Sequence, residues 1–242
     1  HCNSLASITI PNSITSIGDG AFDGCCNLAS VNIPNSVTRI GDNAFSYCDR
    51  LASVNIPNSV TSIGNEAFFY CGGLTSVNIP NSVTSIGDGA FGFCSSLASI
   101  NIPNSVTSIG ERAFQSCNSL ASVNIPNSVT SIGNEAFVNV KNIVYNGTDE
   151  GRPWGALTIN GVIDGDFIFA DAEKKQLTAY VGEGGSVTIP NSVTSIGSLA
   201  FYECSNLASV TIPNSVTSTD YGVFYNCSNL KTVILPESVM YI

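Results

Sequence analysis

The chain has very little of what catalysis in water uses. It carries a single His, at position 1, and only eight Lys and Arg among 242 residues. One imidazole at a terminus leaves no Ser-His-Asp or Cys-His arrangement to assemble. The 18 Asp and Glu outnumber the basic residues and set the net charge at −10, which argues against nucleic acid or anionic lipid as a partner. No apolar run approaches the roughly 18 residues of a membrane-spanning helix, so no membrane insertion is expected. Charged residues are scarce at 11% while apolar ones reach 43%, too apolar a balance for a disordered chain. Zinc-type Cys or His pairs, a calcium-loop constellation of carboxylates and a phosphate-cradling glycine loop that opens a helix are all missing. No catalytic, cofactor-binding or metal site is therefore expected. The first residues show no signal-peptide pattern. The sequence opens and closes in mid-repeat with no polar cap, which reads as a segment of a longer array.

What the sequence does have is a period. Leucine recurs at 5, 28, 51, 74, 97 and 120, phenylalanine at 22, 45, 68, 91, 114 and 137, and glycine at 18, 41, 64, 87, 110 and 133, a spacing of 23 residues in each column. Nine of the ten prolines occupy one column. Internal repetition of this length marks a solenoid, in which each unit buries its apolar side chains only against its neighbours. In the rung from Leu28, Val31 and Ile33 flank Asn32 with the alternation of a short strand. Pro34 ends that strand, and Asn35 and Ser36 turn the chain. Val37 and Ile40 point inward again. Gly41 is read as permitting a backbone conformation closed to other residues. Ala44, Phe45 and Cys48 have the spacing of a short helical turn that faces the core. The expectation is one strand and one helical turn per rung.

These residues, in the form LxxVxIPxSVTxIGxxAFxxC, resemble the BspA-like class of leucine-rich repeats over residues 1–137 and 187–242, about four-fifths of the chain. The resemblance implies a right-handed, curved leucine-rich-repeat solenoid, secreted or held at the cell surface, that adheres to surface or matrix proteins of a host or a neighbouring cell. It carries over no catalytic residues and no fixed binding residues, because the motif describes the core.

Residues 138–186 leave the pattern and are read as an irregular β-rich insertion within the same domain. Val140, Ile143 and Tyr145 form a degenerate rung. Arg152 to Gly155 make a turn that carries the only Trp. Residues 157–162, 167–170 and 177–181 read as strands, with a hairpin at the polar 171–176. The segment is either a spacer or a site lined by Tyr145, Trp154 and Tyr180. Thr219, Asp220 and Val223 also replace consensus Ile, Gly and Ala, which should weaken that rung.

Eight of nine cysteines share one column. Neighbouring Cβ atoms in such a column lie about 4.8 Å apart, whereas a disulfide needs about 3.8 Å. A ladder of free, buried thiols is the expectation. Cys26 stands outside the column and is the candidate reactive thiol. The carboxylates after the column glycine read as a solvated acidic edge.

The two positions after the column Phe vary most, and six of them are aromatic: Tyr47, Phe69, Tyr70, Phe93, Tyr202 and Tyr225. Variation with aromatic enrichment suits an interface. These positions either form an outward stripe or seal the flank. A protein-binding module is the first reading. A passive spacer or targeting arm of a larger protein is the second, and ice binding by the regular Thr column or sugar stacking are lesser ones.

Overall fold

A computed structural model of the chain describes residues 2–145 and 154–239. They fall in two compact units, His1–Ala156 and Leu157–Ile242.

In the first unit every full rung contributes two short strands rather than one. Ser7–Thr9, Ser30–Asn32, Ser53–Asn55, Ser76–Asn78 and Ser99–Asn101 stack in parallel as one sheet. Ser16–Ile17, Arg39–Ile40, Ser62–Ile63, Ser85–Ile86, Ser108–Ile109 and Ser131–Ile132 form the other. Register follows the repeat, with Val31 beside Val54 and Ile40 beside Ile63. Each strand thus pairs with its own copy one turn away, and the unit is a parallel β-solenoid. From Leu28 to Phe137 the Leu, Ala and Phe columns are fully buried and self-stacked. Phe22, Phe45, Phe68, Phe91, Phe114 and Phe137 form a run of near-parallel rings with centroids 5.2 to 5.6 Å apart, the offset stacking that aromatic pairs favour.

The expected helical turn around Ala44, Phe45 and Cys48 is absent; among the described residues there is no helix. The reason lies in the hydrogen bonds. The amides of Asn43, Phe45 and Tyr47 donate to the carbonyls of Asn65, Ala67 and Phe69 in the next rung, at 2.8, 2.8 and 2.7 Å. Only Ser46 and Cys48 close local turns, onto Asn43 and Phe45. Asn43 and Tyr47 have φ of 55° and 56°, a left-handed conformation no α-helix contains. The segment is therefore a third hydrogen-bonded side of the rung.

The glycine column also works differently from the expectation. Gly41, Gly64, Gly87, Gly110 and Gly133 do not adopt positive φ. They lie against the preceding rung: a Cβ at Gly64 or Gly87 would stand 2.6 Å from the carbonyl carbon of Gly41 or Gly64. Close approach, not dihedral freedom, selects glycine there. In the adjoining column, Asp19, Asp42, Asn65 and Asp88 each accept the amide of the equivalent residue one rung on, at 2.8 to 2.9 Å. Part of the acidic edge is thus a bonded ladder.

The column cysteines are free. Cys48, Cys71, Cys94 and Cys117 are buried and donate to the carbonyls of Phe22, Phe45, Phe68 and Phe91 at 3.1 to 3.3 Å.

In the second unit, Gly185–Thr188, Leu207–Thr211 and Thr232–Ile234 make a parallel sheet. The other sheet runs Val162–Asp164, Phe167–Phe169, Gln176–Tyr180, Ser195–Ile196, Ser218–Thr219. Its first two pairings are antiparallel and the rest parallel, so the hairpin read at 171–176 joins directly onto solenoid rungs. Thr219 lies half-buried beside Ile196.

Candidate protein-binding surface

Part of the variable flank of the first unit faces outward, although Ser46 is fully buried. Tyr47, Tyr70 and Phe93, one per rung, stack nearly parallel with centroids 5.1 and 4.5 Å apart. Tyr47 and Tyr70 are 47% and 39% exposed, and Phe93 is half-buried. Phe69 stands edge-on to Tyr70 and Phe93, at 75° and 78°, so four rings make one continuous surface. Their backbone explains why they stand clear of the core. Tyr47, Tyr70 and Phe93 have φ of 56°, 56° and 59°. That conformation costs a bulky residue about 1 kcal/mol or more. Elsewhere the column holds Gly24, Ser116 and Asn139, all at positive φ.

Beside the stack is a groove of about 540 Å³, lined by Glu66, Phe69, Asp88, Gly89, Phe93, Glu111, Arg112, Gln115 and Glu135. Two glycines shape it. At Gly92 a Cβ would come within 3.0 Å of the Phe69 ring, and at Gly89 within 3.1 Å of the Glu66 side chain. The equivalent positions of the next rung hold Arg112 and Gln115. The Arg112 guanidinium pairs with Glu135 at 2.7 Å and Glu111 at 3.3 Å. Those carboxylates, Glu135 foremost, hold its pKa above the ordinary arginine value.

The other aromatic residues singled out in the sequence divide between surface and core. Tyr202 and Tyr225 stack at 5.9 Å on the flank of the second unit, with Tyr225 exposed. Tyr145, Trp154 and Tyr180 are buried. Tyr145 donates its hydroxyl to the Val129 carbonyl at 3.1 Å and meets Trp154 edge to face. The Trp154 carbonyl accepts the Phe137 amide as the next rung would. Tyr180 fills the phenylalanine column, stacked on Phe201 at 5.2 Å; burial raises its phenol pKa. These three offer no open face. Residues 152 and 153 of the turn read before Trp154 lie outside the described residues. Cys26 is half-buried with its thiol 4.0 Å from the Asn3 carbonyl, while Cys2 is the exposed thiol.

The Asn column of the first strand is exposed. On the neighbouring turn, Thr38, Thr61, Thr107 and Thr130 each donate a hydroxyl to the preceding rung's Thr carbonyl. An array so committed to its own backbone reads as part of the ladder. Sequence reasoning missed Gly89 and Gly92, whose signal was glycine at two positions three apart in one rung where the flanking rungs carry Glu66 and Phe69, and Arg112 and Gln115. It also missed Tyr221, exposed at 79%.

The fold and its flank define a repeat protein whose core is spent on stacking and whose variation lies on one side. The chain matches the BspA type leucine rich repeat region in six copies, over residues 1–120, 61–146 and 182–242. It belongs to that family. Leucine-rich-repeat solenoids of this kind are typically non-catalytic. A leucine rich cell surface protein of Faecalibacterium prausnitzii is 32% identical, with 97% of this chain and 70% of that one covered and a TM-score of 0.49. A leucine-rich repeat protein of Bacteroides ovatus is 32% identical over 96% of this chain and 55% of its own, with a TM-score of 0.55. The pneumococcal vaccine antigen PcpA is 20% identical over 96% of this chain and 61% of its own, with a TM-score of 0.47. This chain thus spans 70% of the first relative and about half of the second. No curated protein matches it.

Proposed function

We propose that the chain is a non-catalytic, protein-binding module of adhesion type, secreted or displayed at a cell surface, and that it engages a surface or matrix protein of a host or neighbouring cell through its aromatic flank. The observation that carries this reading is the exposed ring stack of Tyr47, Tyr70 and Phe93 on left-handed backbone. A column that accepts Gly, Ser and Asn has no folding need for three aromatic rings there. Tyrosine is enriched among the few residues that carry most of the energy of protein interfaces. The family resemblance supports surface display.

Capture of matrix and cell-surface proteins tests the reading. The wild type is compared with a variant carrying Ser at 47, 69, 70 and 93. Ser116 and Ser46 already occupy those two columns, so this variant keeps the fold. A partner held by the wild type and lost by the variant is the expected result. Equal capture by both would move the site off the flank, and no capture would leave the module as a spacer arm.

A further inference from the structure

We infer that the aromatic flank and its groove take an extended, basic segment of the partner, with an arginine or lysine side chain seated over Gly89 between Phe69, Phe93 and the carboxylates of Glu66 and Asp88. This rests on the aromatic flank being the binding face, and it names the chemistry of what binds there.

Three observations converge. The groove has aromatic walls, Phe69 and Phe93, in a rung where Gly89 and Gly92 withhold the side chains that adjacent rungs project. Its rim is acidic: Glu66, Asp88, Glu111 and Glu135 all line it. The chain itself also shows a guanidinium held there. Arg112, next after Gly89 in the column, leans onto Glu135 and Glu111. That pairing uses up one end of the groove. At the other end, Glu66 and Asp88 form no ion pair with a basic side chain among the described residues. An aromatic face beside carboxylates that hold no cation attracts one through both ring quadrupole and charge. The flank rings continue past the groove, through Tyr70 to Tyr47. Rungs repeat about every 4.8 Å and an extended strand rises about 3.3 Å per residue, so about three residues of a segment lying along the flank span the rings from Phe93 to Tyr47. A net charge of −10 favours approach of a basic partner over long range.

The test uses the whole chain and a fluorescently labelled peptide with arginine at alternate positions among glycine and serine, beside the same peptide with glutamine for arginine. The groove variant is E66Q/D88N. Asn65 already accepts the Asp88 amide as Asp88 accepts the Glu111 amide, and Asn43 shares the column of Glu66, so both changes have precedent in the fold. D171N/E237Q removes the same charge from exposed sites in the second unit. Fluorescence anisotropy at about 0.15 M salt, where the screening length is about 8 Å, should show the arginine peptide favoured by about tenfold in the wild type and the control. In the groove variant the preference should disappear, as expected for one aromatic-backed cation paired to carboxylates. Equal binding of both peptides by the wild type would overturn the inference, as would equal loss in the control. A surface protein captured by the wild type, lost by the Ser variant and kept by E66Q/D88N would retain adhesion through the flank and overturn the basic partner. An arginine preference with no protein captured would uphold the groove and sink the adhesion reading.

Discussion

At the scale of residues, the columns sort by backbone as much as by polarity. The inward set of Leu, Val, Ile, Ala, Phe and Cys could be read directly from the sequence, because a residue that recurs every turn in an apolar column has only the core to face. Left-handed positions could not. Asn43, Glu66 and Arg112 look like ordinary polar surface, and Tyr47, Tyr70 and Phe93 like helix-flank aromatics; their positive φ goes with amide hydrogen bonds to the next rung. Position 70 separates ring from backbone. Tyr70→Asn loses the stack but suits the dihedral, and is expected to fall within about 1 kcal/mol of the wild type in urea unfolding. Tyr70→Val should lie lower by a further 1–2 kcal/mol, roughly, because a β-branched residue is poorly accommodated at φ 56°. Equal stability of the two variants would show that the ring, not the dihedral, governs this site.

At the scale of elements, each rung is three hydrogen-bonded sides rather than a strand and a helix. Proline, turn residues and valine alternation made the first strand legible. The spacing of Ala44, Phe45 and Cys48 fits a helical turn equally well, and only the neighbouring rung's carbonyls decide against it. The glycine column shows the same limit: glycine marked a constraint, but its kind required a neighbour. Gly87→Ala should destabilise by at least about 2 kcal/mol, since its Cβ would meet the backbone of Gly64 and Asn65 at 2.6 to 2.7 Å. Gly72→Ala, whose nearest atom would be the Ser95 hydroxyl at 3.8 Å, should be neutral or stabilising by up to about 1 kcal/mol through the unfolded chain. Chemical denaturation of both variants checks the contrast, and a Gly87→Ala protein as stable as the wild type would refute the close-approach account.

At the scale of the molecule, identical rungs turn single-residue properties into arrays. The thiol array has a consequence for pH. Burial pushes Cys48 and Cys94 up from 9.0 to about 12, and Cys71 and Cys117 also well above 9.0. The folded state therefore keeps protons that the unfolded state releases. Stability from this source is complete below about pH 9 and is lost as pH rises from there towards about 12, at about 1.4 kcal/mol per pH unit for each thiol. Urea midpoints measured from about pH 7 upward should hold level and then fall, and fall less steeply for Cys94→Ala. An equally steep fall in that variant would take the thiols out of the account.

The solenoid, its period, its core columns and the free state of the cysteine ladder were all legible without coordinates, because repetition at fixed spacing leaves each column only its own copies to pack against. The sequence also marked the flank where variation and aromatic residues gather. Tertiary structure alone decided the rest. Tyr145, Trp154 and Tyr180 look like surface anchors until a rung accepts them into its core or its ladder, and Tyr47, Tyr70 and Phe93 become a continuous face only when stacking brings them within 5.1 Å of each other in turn. The depression at Gly89 likewise exists only between rungs. Which residues are inside follows from local periodicity, while which of the remaining ones meet depends on contacts across a full turn of the chain, and those are set by hydrogen bonds between backbones that all sequences share.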